Sequence, residues 1–221
     1  MKGNLIVSIV SQREQNIIWM VVRQVAYTTC LVLITMFLWK LGAWYHEVIF
    51  NEGGLVENIQ CVVLAVAMLL FGWCAVLYKN WRPLLVAFGS LCLFALCREQ
   101  DAFLDAHIPL ISWKFCFVFP MAATCYMGLR FKGLKKYLFS FFEMPAFHLM
   151  MAAMIVIIPV SECIGHKPMI AAVLGGDDFG LGKPIRRMIE EGGELLGYFL
   201  VLFAAIELIL NIRSYKNLRK S

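Results

Sequence analysis

Charge is scarce in this sequence. Asp, Glu, Lys and Arg make up 16% of its 221 residues and hydrophobic residues 61%, whereas a soluble domain carries about 25% charged residues. That imbalance excludes an ordinary soluble enzyme. There is no low-complexity tract, no internal repeat and no polar stretch long enough for a separate soluble domain, so residues 1–221 read as one integral membrane domain. The eight cysteines form no C-x-x-C and no His-flanked zinc spacing, which removes the common redox and structural-zinc motifs. They read as small apolar packing residues, with a Cys97–Cys163 bond near the outer surface left open. The distribution of the net charge of +5 matters more than its sum, and no nucleic-acid partner is expected. Residues 1–20 lack a long apolar core and a small-residue cleavage site, so no cleaved signal peptide is expected. Leu5, Ile9, Ile17 and Trp19 fit an interfacial N-terminal segment instead.

What the sequence has is apolar runs. Six recur, at Val21–Trp39, Val56–Tyr78, Pro83–Cys97, Trp113–Leu129, Pro145–Val160 and Leu195–Ile212, and they predict an all-α polytopic transmembrane helix bundle. Threaded alternately, these spans bring Lys2, Arg13, Arg23, Lys79, Arg82, Arg130, Lys132, Lys135, Lys136, Arg213, Lys216, Arg219 and Lys220 to one side. That side is the cytoplasm, with both termini inside. The longest outer loop, 164–193, carries several Gly and Pro around the apolar stretch Met169–Leu174 and could form a re-entrant flap.

The acids are lopsided too. Glu47, Glu52, Glu57, Glu99, Asp101, Asp105, Glu162, Asp177, Asp178, Glu190, Glu191 and Glu194, twelve of the fifteen, fall in the outer half. Acidic residues contribute little to orientation, so topology does not demand this. The third span is only 15 residues, about 22 Å at 1.5 Å per residue, against a hydrocarbon layer of about 30 Å. Its helix must run on, which brings Arg98, Glu99 and Asp101 to membrane depth, where charges face protein or water. Arg98, Asp101 and Asp105 share one face of that helix, with Glu99 rotated about 100° away. Either Arg98 and Asp101 form a structural ion pair, or Arg98 holds an anion beside an acid/base carboxylate.

Glu57 and Gln60 open the second span, where Glu57 can also act as a helix cap. Near the sixth span, Arg186 and Glu190, and Arg187 and Glu191, are i,i+4 pairs; Glu190 and Glu194 set like charges on one face, which calls for an Arg, a proton or a metal ion. Asp105, His107, Glu162 and His166 are the residues that could hold a divalent metal, although His residues at helix ends also serve as interfacial groups. Lys114 snorkels or holds a phosphate head group. His148 and Glu207, in the cytoplasmic half, are hydrogen-bond partners or relay steps.

Glu52-Gly-Gly-Leu-Val-Glu57-Asn-Ile-Gln60 at the head of one span and Arg98-Glu99-Gln-Asp101 at the tail of the next resemble a group of small uncharacterised bacterial multispan proteins. In that group an E-x-G-x-x-E segment opens a helix and an acidic motif ends the following hairpin. The resemblance covers residues 50–105 and implies a bacterial inner (plasma) membrane setting; it implies no reaction.

Three functions fit these residues. The first is a membrane-embedded hydrolase or transferase acting on a lipid or lipid-linked anionic substrate. Its catalytic candidates are Glu57, Arg98, Glu99, Asp101, Glu190 and Glu194, and its substrate-binding candidates are Gln60, Lys114 and Arg187. The second is a non-enzymatic assembly or immunity factor whose ionic cluster locks helices. The third is a small proton-linked transporter, although no span has the paired Gly/Pro interruptions of transporter repeats.

Overall fold

The computed structural model describes residues 2–45, 49–50, 53–101, 104, 113–164, 166, 168–169, 172 and 182–218. Side chains are described from Glu14 to Arg213, apart from Trp113, Glu162, Ile164, Gly182 and Lys183 within those ranges. The described residues contain helices and no strands. In chain order these are α1 (Lys2–Tyr45), α2 (Leu55–Leu77), α3 (Arg82–Glu99), a 3₁₀ turn (Trp113–Phe117) running into α4 (Val118–Leu129), α5 (Phe131–Phe142), α6 (Pro145–Ile155) continued by a π-helical segment (Val156–Ile164), and α7 (Gly182–Leu218).

The chain divides into two units, Met1–His46 and Glu47–Ser221. The first is α1, a continuous helix of 44 residues that contains both the expected interfacial segment and the expected first span. Its polar Thr28 and Thr35 turn their hydroxyls back to the carbonyls of Gln24 and Leu31, which hides them from an apolar solvent.

Among the described residues, three helices are long and apolar enough to cross a membrane: Glu14–Tyr45, Leu55–Leu77 and Pro184–Arg213. α5 and α6 bend by 81° at their junction and would count as a fourth if they formed one span. The outward faces support a membrane setting. On α2, Val62, Leu69, Trp73 and Val76 are each more than 60% exposed, while Val56, Gln60, Val63, Leu64, Ala67, Phe71 and Cys74 are buried on the opposite face. A helix that is apolar all round, with its polar residue turned inward, suits lipid and not water.

The second unit is assembled around α7. α2 and α3 form a hairpin closed by Tyr78 N–H to Cys74 O, Trp81 N–H to Tyr78 O and Arg82 Nε–H to Ala75 O. Pro83 lies in the first turn of α3, where its missing N–H costs nothing. α5 was expected as a cytoplasmic loop, but it is an amphipathic helix. It exposes Lys132, Lys135 and Lys136 and buries Leu134 and Phe141 in an aromatic cluster of Phe71, Phe88, Phe141 and Phe147, with ring centroids 5.2–5.6 Å apart.

α7 meets α6 and the π segment at unusually short range. A Cβ built on Gly197 would run into Ile157 Cγ1, and one on Gly193 would lie 3.0 Å from Ser161 Cβ. These glycines, four residues apart, form the small-residue face that lets two backbones approach. Ser161 is fully buried and donates its hydroxyl to Glu190 O at 2.8 Å. Pro159 lies inside the π segment; it can offer no N–H to the ladder, and the widened turn absorbs that loss.

Two expected boundaries move. The outer loop 164–193 ends early, because helix has begun by Gly182, with Pro184 in its first turn and the Arg186–Glu190 pair extending it. α3 stops at Glu99: Gln100 takes φ −103° and ψ 27°, and its N–H reaches back to Leu96 O. Asp101 lies just beyond that end, and its side chain is exposed.

Candidate functional site

The N-terminal end of α2, the C-terminal end of α3 and the first half of α7 meet, and their polar side chains meet with them. One carboxylate oxygen from each of Glu99, Glu191 and Glu194 lies within 4.8 Å of the other two. Around this trio, Arg98 donates to and ion-pairs with Glu194. Tyr198 O–H donates to Glu99 Oε1 at 2.6 Å. Gln60 Nε2 donates to Glu191 Oε2 at 3.2 Å and to Glu191 O at 2.9 Å. The Glu194 side chain is 6% exposed and that of Arg98 34%, so the carboxylate is sealed in while the guanidinium also faces outward. Beside the cluster, Gln100 Nε2 donates to Cys61 Sγ.

Helical spacing explains the convergence. Glu191, Glu194 and Tyr198 are i, i+3 and i+7, one stripe of α7. Arg98 and Glu99 are adjacent, and both reach that stripe, Arg98 at Glu194 and Glu99 at Tyr198, so the 100° between them does not separate them. Like charges at this range repel by roughly 3 kcal/mol per pair at an effective dielectric of about 20. With Glu57 and Arg187 also acting on Glu191, four carboxylates stand against two guanidinium groups and call for further positive charge, as shared protons or a bound cation. The three carboxylates are the groups among the described residues that could hold a metal ion.

The other expected site residues are distributed as follows. Glu57 folds back on the turn before α2: its Oε2 accepts the N–H of Gly53, which has φ +73°, at 2.7 Å, and its charge also acts on Glu191. Glu190 is held by Arg186, whose Nη1 is 2.9 Å from both carboxylate oxygens. The like charge facing Glu194 is thus Glu191 on its own helix and Glu99 across the interface, and not Glu190. Arg187 Nη1 donates to Phe50 O at 3.4 Å. Asp101, Lys114 and His166 are exposed. Asp105, His107 and the side chain of Glu162 lie outside the described residues. His148 is exposed and Glu207 fully buried, with Asn211 Nδ2 donating to its backbone oxygen at 2.7 Å. All eight cysteines are free thiols.

Sequence reasoning missed Glu191 and Tyr198. The i,i+4 rule assigned Glu191 to Arg187, and Tyr198 passed as core. The signal available was their common stripe with Glu194.

No protein-family model, curated protein or solved structure matches the chain.

Proposed function

We propose that this protein is a membrane-embedded hydrolase or transferase of the bacterial inner membrane that acts on the polar end of a lipid or lipid-linked anionic substrate. One observation carries the reading: Glu99, Glu191, Glu194, Gln60, Arg98 and Tyr198, from three separate helices, converge on one spot. Scattered solvated charges would not cross-link in this way. Arg98, one-third exposed, binds the anionic group, and the carboxylates supply acid/base chemistry. Tyr198 orients Glu99, and Gln60 orients Glu191. Lys114 and Arg187 add positive charge for the head group.

The depth of the cluster supports action at the membrane boundary. Counting about 20 residues, one hydrocarbon thickness, back from Arg213 reaches Glu194. The Lys/Arg pattern makes that end external in a six-span arrangement with both termini cytoplasmic. α3 has 18 residues, about 27 Å, close to a hydrocarbon thickness.

The test is turnover. Purified full-length protein in liposomes of bacterial polar lipids, with isoprenyl diphosphates added, is assayed for water-soluble products by mass spectrometry. Product is expected from the native protein and lost in Glu194→Gln and Glu99→Gln variants that keep their unfolding temperature. Absence of product from every lipid class would overturn the reading. It would favour a non-enzymatic assembly or immunity factor, a second reading supported by the Arg98–Glu194 and Gln60–Glu191 ties, which fasten α3 and α2 to α7.

A further inference from the structure

We infer that the carboxylates of Glu99, Glu191 and Glu194, together with the side-chain carbonyl of Gln60, form a site for a hard divalent cation of the calcium and magnesium class. This deepens the reading of the same site, but it stands on separate observations and is tested without turnover.

The first observation is spacing. Ligand oxygens on opposite sides of Ca²⁺, bound at 2.3–2.6 Å, are about 4.6–5.2 Å apart, and those around Mg²⁺ about 4.2 Å. Three oxygens all within 4.8 Å of one another fall inside the spread that the ligands of one Ca²⁺ span, and a tighter ring of the same oxygens suits Mg²⁺ or Mn²⁺.

The second observation is Gln60. It is fully buried, its Nε2 rests against the Glu191 carboxylate, and its Oε1 has no hydrogen-bond partner among the described residues. Leaving a buried carbonyl oxygen without a donor costs about 1–3 kcal/mol. The Glu191 carboxylate lies against the amide's Nε2, and a cation bridging that carboxylate and Oε1 would satisfy the oxygen that no described donor reaches. The donor set then consists of three carboxylate oxygens and one amide oxygen, the chemistry of Ca²⁺, Mg²⁺ and Mn²⁺ and not of zinc or copper, which favour imidazole and thiolate.

The third observation is charge. Arg98 pairs with Glu194, Arg187 acts on Glu191 and Glu57 adds a fourth carboxylate beside it, so a divalent cation cancels the two negative charges left over. Four protein oxygens also leave coordination positions open, which a phosphate oxygen of a head group beside Arg98 could fill.

The experiment uses full-length protein in nanodiscs, stripped with EDTA and titrated with CaCl₂, MgCl₂ and MnCl₂. Calorimetry measures binding and thermal unfolding measures stability. We expect one cation per chain, a raised unfolding temperature on binding, and affinity weakened by about tenfold or more, or about 1.4 kcal/mol, in Glu191→Gln and in Glu99→Gln. Glu143→Gln, an exposed carboxylate after α5, should bind as the native protein does. Cation-free unfolding temperature controls for folding, because removing one of three crowded negative charges should hold or raise it. No binding at millimolar cation, or equal binding by native protein and Glu191→Gln, would overturn the inference. Binding without lipid turnover would overturn the enzymatic reading and leave the cation site standing. Turnover indifferent to cation and chelator, with no binding, would do the reverse.

Discussion

Three glycines within two turns of α7 should respond in opposite directions to one added methyl group. A Cβ at Gly192 meets nothing within 4 Å; at Gly193 it meets Ser161 Cβ at 3.0 Å and Cα at 3.4 Å; at Gly197 it runs into Ile157 Cγ1, with Cδ1 at 3.0 Å and Ala153 O at 3.5 Å. Replacing a helix-interior Gly by Ala gains about 1 kcal/mol of helix propensity, while overpacking costs about 1–3 kcal/mol. Gly192→Ala should therefore stabilise by close to the full propensity gain. Gly193→Ala should come out near neutral, since Ser161 must give by a few tenths of an ångström. Gly197→Ala should lose about 1–2 kcal/mol, because Cγ1 belongs to a β-branched side chain that cannot swing aside without moving the π segment. At about 2–4 °C per kcal/mol for a chain of this size, thermal unfolding in detergent separates the first and last variants. Ile157→Ala, which opens the space, should destabilise the native protein but cost less in the Gly197→Ala background. A Gly197→Ala variant as stable as Gly192→Ala, or strict additivity with Ile157→Ala, would refute the close approach of α6 and α7.

Further outcomes follow from single contacts. Arg98→Ala should destabilise by about 1–2 kcal/mol, less than the 3–5 kcal/mol of a fully buried pair because water screens the one-third-exposed guanidinium. Adding Glu194→Gln should recover most of this, and additive losses in thermal unfolding would count against the pair. Tyr198→Phe removes the donor to Glu99 from a residue 2% exposed and should cost about 1–2 kcal/mol; the same substitution made beside Glu99→Ala should cost less, and an equal cost would deny the bond its role. Lys132→Cys, on the exposed face of α5, in a background lacking the exposed Cys125 and Cys163, should react with an impermeant maleimide only after cells are permeabilised. Labelling of intact cells would invert the proposed orientation.

Helices were legible in the sequence wherever apolar residues ran without interruption. Val56–Tyr78 was expected where α2 covers Leu55–Leu77, and Pro83–Cys97 where α3 covers Arg82–Glu99. Hydropathy failed where charges extend a helix. It started the last helix at Leu195, yet α7 includes Gly182–Glu194, because Arg186 and Glu190 pair along the helix and its glycines face a neighbour. α5 was lost for a related reason: its three lysines dominate the average while Leu134 and Phe141 do the packing. Within the site, Arg98, Glu99, Glu194 and Gln60 stood out because ionisable and amide groups beside apolar runs are rare. Glu191 was read only as the partner of Arg187, whose charge does act on it, whereas a hydrogen bond also reaches it from Gln60, 131 residues away in sequence. A cross-helix partner of that kind has no signature in local spacing.

The close approach and the carboxylate cluster share the same turns of α7, so packing and chemistry are not independent. Gly193 and Gly197 hold one face of the helix against Ala153, Ile157 and Ser161, and Ser161 anchors the carbonyl of Glu190, while Glu191, Glu194 and Tyr198 point from the same stretch toward α2 and α3. Relieving a clash on the first face must shift or rotate the second. A shift of a few tenths of an ångström is comparable to the difference between a calcium-sized and a magnesium-sized ring of oxygens. Gly197→Ala should therefore weaken cation binding even though no ligand is changed, whereas Gly192→Ala should leave it intact. A Gly197→Ala protein that loses stability but binds cation with native affinity would mean that the trio is held by its own hydrogen bonds from Gln60, Arg98 and Tyr198, without help from the helix contact behind it.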